Sequence, residues 1–209
     1  MRLYGHPIST CTRKVLTVLH EKGIPFEFTV VNLFEGEQKQ PEHLQRQPFG
    51  LVPAIDDDGF KMFESRAIIR YLDKKLPGPK LTPADPRGQA RMDEWMSVEQ
   101  SYFTPGALAV IKELYLGKMA GQEPDMDRVA QSRPAAEKAL DVAERALATR
   151  PYFAGEEFSL ADISWMPYVQ YLFPCGLSEL ISSRPAVLAW WERVSARPSW
   201  VKVSAPMAS

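Results

Sequence analysis

The run Leu76-Pro77-Gly78-Pro79 divides this chain into two stretches that follow different patterns. Proline lacks the amide that helices and sheet ladders need, so two prolines around a glycine stop either element. Before the run, strand-like and helix-like segments alternate. From Arg87 onward only helical periodicity remains. With 209 residues the chain can bury a core without staples, as one or two domains.

Arg2-Leu3-Tyr4 reads as a short strand closed by Gly5-His6-Pro7. Ser9 and Thr10 are helix-capping types, and Val15, Leu16, Val18 and Leu19 follow at helical spacing up to the stop at Lys22-Gly23. Phe26 to Val31 is β-branched and aromatic, which predicts a second strand, parallel to the first because a helix separates them. The polar stretch Glu35 to Gln47 leaves room for one short helix after Pro41. Pro53-Ala54-Ile55 and Lys61-Met62-Phe63 flank Asp57-Asp58-Gly59, a hairpin signal, and Ser65 to Lys75 is an amphipathic helix. The order β-α-β, then β-β-α, is that of a thioredoxin fold. The spacing further predicts helices over Arg91 to Leu116, Asp127 to Thr149, Leu160 to Phe173 and Pro185 to Ala196. The fold class expected is therefore α/β plus all-α: a thioredoxin-like domain over 1–76, a linker over 77–86 and an all-helical domain over 87–209.

Charge and composition narrow the function. The formal net charge is -1, which gives no electrostatic case for nucleic acid or an anionic membrane. No stretch reaches the roughly 20 apolar residues of a membrane span, and the N-terminus has no signal-peptide core. Cys11 and Cys175 lie far apart and suggest no disulfide framework, so a reducing, cytoplasmic setting is expected. His6, His20 and His43 have no metal-ligand spacing; solvated or packing roles, and no metal, are expected.

Three segments carry candidate chemistry. In Gly5-His6-Pro7-Ile8-Ser9-Thr10, the serine stands at the start of a helix whose amides favour an anion. A hydroxyl there can donate to a thiolate and lower its pKa from about 8.5; the same residues also fit a plain helix cap. In Pro48-Phe49-Gly50-Leu51-Val52-Pro53-Ala54, a proline before a strand removes a ladder donor and leaves Val52 able to pair with an extended peptide. An ordinary trans proline at a strand start fits those residues too. In Phe63-Glu64-Ser65, the serine can offer a hydroxyl and an amide to a carboxylate, and Glu64 can take an ammonium group; an ordinary capped helix start is the alternative. A fourth segment, Phe158-Ser159-Leu160-Ala161-Asp162-Ile163, is a capping-box variant with a hydrophobic staple, a folding feature.

Taken together these segments resemble the glutathione transferases, the phi class in particular. The likeness extends over nearly the whole chain, through Thr12-Arg13-Lys14-Val15-Leu16, Gly36-Glu37-Gln38-Lys39, Tyr152-Phe153-Ala154-Gly155, Arg184-Pro185 with Trp190-Trp191, and Ala196-Arg197-Pro198. The resemblance implies a homodimer that binds glutathione on the thioredoxin-like domain and a small apolar electrophile between that domain and the helical one. It implies that Ser9, with Thr10 beside it, stabilises the glutathione thiolate. Val52 would pair with the cysteinyl backbone next to a cis Pro53, Glu64 and Ser65 would hold the γ-glutamyl end, and Gln38 and Lys39 would meet the glycyl carboxylate. Two positions depart from the family: Gln38 stands where histidine is usual, and Leu51 where glutamine is. Weaker glutathione binding is expected from both. Ile8, Phe34, Lys112 and Leu116 are the candidates for the electrophile pocket, and Phe49 for the dimer contact.

The implied reaction is conjugation of glutathione to electrophiles, a detoxification chemistry, with a peroxidase side activity as a possible extension. A thiol-disulfide or dehydroascorbate reductase is the alternative, although those relatives carry cysteine at the position of Ser9. A non-catalytic carrier of apolar ligands is a third reading. Tyr4 could supply the hydroxyl instead, as tyrosine does in other classes, but in a chain of this type it is expected in the core.

Overall fold

The computed structural model describes residues 1–205. The chain forms two compact units. One comprises Met1–Lys80 with residues 197–205, and the other Leu81–Ala196.

The first unit is built on a four-stranded sheet. Its strands are β1 (Arg2–Gly5), β2 (Glu27–Val30), β3 (Ala54–Asp57) and β4 (Phe60–Phe63), in the spatial order β2-β1-β3-β4. As the pattern predicts, β1 and β2 are parallel, while β3 runs antiparallel to both β1 and β4. Helix α1 (Thr10–Lys22) is the crossover between the parallel strands, and α3 (Ser65–Lys75) packs beside it. Side chains alternate across a strand, so Leu3 and its partner Ile55 share one face, while Tyr4 and Ala54 share the other. All four are buried, and Tyr4 joins Val31, Ala54 and Val52 in an apolar cluster. The polar stretch holds a 3₁₀ turn (Glu37–Lys39) and the short helix α2 (Pro41–Leu44).

The second unit is helical: α4 (Pro86–Val98), α5 (Thr104–Ile111), α6 (Met126–Leu147), α7 (Leu160–Leu172), α8 (Glu179–Ser182) and α9 (Pro185–Ser195). Helices α4 and α5 are parts of one rod, joined by a π-helical segment (Glu99–Phe103) and extended by a second (Lys112–Gly117). Pro105 explains the first: it cannot donate back along the ladder, so the preceding turn widens. The rod starts at Pro86, before the expected Arg91, because the Asp85 carboxylate caps the amides of Arg87 and Gly88 at 3.0 Å.

The core of this unit is aromatic. Trp165 stacks on Phe103 at 4.5 Å and on Phe153 at 4.7 Å, and Phe153 meets Trp190 edge-on at 5.1 Å. Asp162 ties this cluster to the start of α7. Its carboxylate accepts from the Phe153 amide (3.0 Å), the Trp190 indole (2.8 Å) and the Ser159 amide (2.9 Å), the capping box expected from the sequence. Burial pushes the Asp162 carboxyl up, against the pull of those donors.

The compact units part at other residues than the expected 87–209, of which 206–209 lie outside the described residues. Helix α10 (Pro198–Ser204) belongs to the first unit, where it packs on α1. Arg197 makes a two-pronged pair with Glu21 at 2.8 and 2.7 Å, Ser199 donates to the same carboxylate, and Trp200 is fully buried. At the other end of the linker, Leu81 groups with the helical unit, its carbonyl accepting from the Leu160 amide at 3.0 Å. Lys22 holds the start of the linker, its ammonium 2.6 Å from both the Asp73 carboxylate and the Pro79 carbonyl.

Candidate active site

Ser9 caps α1, in extended backbone at φ -70° and ψ 123°. Its Oγ accepts from the Thr12 amide at 3.2 Å, which fixes the oxygen. The hydroxyl hydrogen has no acceptor among the described residues. The turn before it is set by His6, whose carbonyl accepts from the Ser9 amide (2.9 Å) and whose Nδ1 accepts from the Ile8 amide (3.2 Å). Burial pushes the His6 imidazole below its usual value, which favours the neutral ring that this second bond requires. Gly5 permits the tight approach of β1 to α1: a Cβ there would lie 2.5 Å from the Thr12 side chain. Thr10 is only 8% exposed. Cys11 follows it in the helix, half-buried and with a free thiol.

Val52 lies just outside β3, and its peptide bond to Pro53 is cis. Neither its amide nor its carbonyl bonds to another described residue. An extended ligand can pair with exactly such an unclaimed edge, as an added strand. Leu51 before it is 55% exposed, and its backbone is held from both sides: His43 Nε2 donates to its carbonyl (2.7 Å), and Gln47 Oε1 accepts from its amide (3.1 Å). Lys39 donates to the Phe49 carbonyl at 3.1 Å. Gly50, at φ 62°, closes this turn; a side chain there would collide with Lys39. An ammonium has three hydrogens, so Lys39 keeps capacity for an anion as well. The Gln38 Oε1 is buried with no hydrogen-bond partner among the described residues.

Glu64 is exposed and takes φ 70°, ψ 103° at the start of α3. Positive φ is unusual for a residue with a side chain. No side chain caps α3, and Ser65 is buried at its first position. The Ser9, Val52 and Glu64–Ser65 segments all belong to the first unit, as do Ile8 and Phe34. Phe34 is exposed, with His6 edge-on at 5.8 Å. Lys112 and Leu116 belong to the second unit, on its second π-helical segment. Tyr4 lies in the core, as expected, with the Arg46 guanidinium 4.2 Å above its ring.

The sequence reading missed His43 and Gln47. A usable signal exists: two polar residues four apart, after a proline helix start and before a glycine-containing loop.

Two family models match this chain: the glutathione S-transferase N-terminal domain over residues 8–75 and the glutathione S-transferase C-terminal domain over residues 103–198. The chain is 41% identical to glutathione S-transferase F11 of Arabidopsis thaliana over 97% of its length and 96% of the relative's. It is 39% identical to glutathione S-transferase hmp2 of Hypomyces subiculosus, over 98% of each. Among solved structures, glutathione transferase F7 from Populus trichocarpa superposes with a TM-score of 0.93 at 38% identity, over 97% of both chains. Glutathione S-transferase I from mais, in complex with an atrazine glutathione conjugate, superposes with a TM-score of 0.89 at 33% identity, over 99% of both. The chain therefore belongs to the glutathione S-transferase family, among relatives of the phi class.

Proposed function

We propose that this protein joins the thiolate of glutathione to small, apolar electrophiles, with Ser9 as the hydroxyl that stabilises the thiolate. The observation that carries this reading is the Ser9 hydroxyl: its oxygen is anchored by the Thr12 amide while its hydrogen is unclaimed, at the N-terminus of α1. The thiol proton leaves to solvent, the hydroxyl donates to the resulting anion, and the helix start adds favourable field. The sulfur then forms a bond to the electrophilic carbon, and a leaving group departs or an acceptor is protonated. No covalent enzyme intermediate is needed; the protein supplies a positioned, stabilised nucleophile.

Glutathione fits the groups in the first unit. Its cysteinyl backbone pairs with Val52, its γ-glutamyl carboxylate meets Ser65, and its ammonium meets Glu64. Its glycyl carboxylate lies toward Gln38 and Lys39, and Thr10, being buried, contributes through the start of the helix. Ile8 and Phe34, on the same unit, receive the electrophile. The protein acts in the cytoplasm as a homodimer; two free thiols, Cys11 and Cys175, suit a reducing compartment.

The test is steady-state turnover of wild type, Ser9→Ala and Tyr4→Phe with aryl halides, isothiocyanates and organic hydroperoxides, the last probing peroxidase activity. Losing a hydrogen bond to a charged group costs about 1.5–3 kcal/mol, or roughly one to two decades in rate. Ser9→Ala is expected to lose at least about tenfold in conjugation with only the modest drop in unfolding midpoint that losing one helix cap brings, about 0.5–2 kcal/mol. Wild-type turnover in Ser9→Ala, with loss in Tyr4→Phe, sinks the assignment.

A further inference from the structure

We propose that His43, assisted by Gln47, is a positioning residue that aims the Val52 amide at glutathione. The inference rests on the glutathione site described above and adds the device that orients it.

His43 is 3% exposed and Gln47 2%, although both carry strongly polar side chains. They are coupled by backbone, the Gln47 amide donating to the His43 carbonyl at 2.9 Å. Their side chains grip one residue, Leu51, whose own side chain contributes nothing to the grip. His43 Nε2 lies 2.7 Å from the Leu51 carbonyl, and Gln47 Oε1 accepts from the Leu51 amide at 3.1 Å.

Peptide geometry turns that grip into an aim. The Leu51 carbonyl and the Val52 amide belong to the same planar unit, and this unit is trans, since the cis bond follows one residue later. In a trans unit the C=O and N–H point in opposite directions. Holding the carbonyl toward His43 therefore directs the Val52 N–H away from it. That amide bonds to no other described residue. A single imidazole thus sets the direction of the donor that an added strand would meet.

The chemistry of the ring agrees. A carbonyl only accepts, so Nε2 carries the hydrogen, and in the neutral ring Nδ1 is left as an acceptor. Nδ1 is buried with no hydrogen-bond partner among the described residues. An apolar residue would fill this space without leaving an orphaned acceptor. The orphan is explained if what matters at position 43 is the donor on the far side of the ring.

The experiment measures steady-state kinetics and, by calorimetry, glutathione affinity for wild type, His43→Leu and His43→Gln. The expected result for His43→Leu is a rise of at least about fivefold in both the glutathione KM and Kd, the scale of one lost hydrogen bond. At saturating glutathione, kcat and the electrophile KM stay near wild type. His43→Gln, which keeps a long side-chain donor, recovers most of the affinity. Should His43→Leu not fold, His43→Asn, whose amide is too short to reach Leu51, is read in its place. A glutathione Kd unchanged in His43→Leu, or in His43→Asn where that replaces it, overturns the proposal. So does a kcat loss as large as the KM rise with no recovery in His43→Gln, the signature of general damage to packing. A wild type that binds glutathione but does not conjugate it refutes the transferase reading alone, and the affinities still decide the role of His43.

Discussion

Glu64 is the residue at which local geometry and chemistry disagree most. It holds φ 70°, where an L side chain is strained, and it precedes the uncapped start of α3. Such strain costs about 1–3 kcal/mol and persists only where the surroundings enforce it. Glu64→Gly relieves it, against the roughly 1 kcal/mol of added chain entropy that glycine brings to the unfolded state. Glu64→Gly is therefore expected to unfold at the same or a higher denaturant midpoint than wild type while binding glutathione more weakly. Glu64→Ala keeps the strain and removes only the carboxylate, so it should lose affinity without gaining stability. Equal glutathione affinity in wild type and both variants contradicts a role for Glu64 in binding. The helix starts at Ser9 and Ser65 were legible in the sequence because they are local signals. His43 was not, because its partner Leu51 is brought back by a loop whose path no periodicity encodes.

At the scale of elements, α1 and α3 followed from apolar spacing and stop signals, and the hairpin from its turn. Helix α10 did not. It is a seven-residue piece between Pro198 and Ser204, too short for a periodic signature, and its place depends on Glu21 in α1. The π-helical segments were likewise invisible: a widened turn barely changes which residues face the core, and only Pro105 hints at it. The Glu21 contact makes the docking of α10 pH-dependent. Burial alone would raise the Glu21 pKa, but hydrogen bonds from Arg197 and Ser199, with the Arg197 charge, outweigh it and bring it below the ordinary value of 4.5. A depressed folded value means the unfolded chain binds the proton more readily, so stability falls as the medium is acidified. The contribution is fully present above pH 4.5 and disappears as the pH drops through the lower folded value. Glu21→Gln is expected to cost about 1–3 kcal/mol at pH 7 and to flatten the loss as the pH falls below 4.5. Urea unfolding across that range measures both, and parallel acid slopes for the two proteins would remove Glu21 from the account.

At the scale of the molecule, the open question is association, and Phe49 is where it can be decided. It is 66% exposed, between Pro48 and Gly50, with the Phe63 ring edge-on at 6.0 Å. A ring that its own core does not take up is available to another surface, and Phe60 and Leu51 of the same unit are exposed as well. The occupant proposed is a second copy of this chain, into which Phe49 inserts as an anchor. Aromatic anchors of this kind contribute about 2 kcal/mol or more on truncation, which corresponds to a dimer dissociation constant roughly 30-fold weaker. The same turn is tied to the glutathione site, because Lys39 bonds to the Phe49 carbonyl and Leu51 leads directly into Val52. Losing the anchor should therefore weaken glutathione binding as well as association. Sedimentation of wild type and Phe49→Ala over a range of concentrations, with glutathione affinity measured in parallel, tests both expectations. The wild type should be dimeric at micromolar concentration, and Phe49→Ala should shift toward monomer with reduced affinity. A wild type that remains monomeric defeats the dimer, and a Phe49→Ala dimer as tight as its parent defeats the anchor.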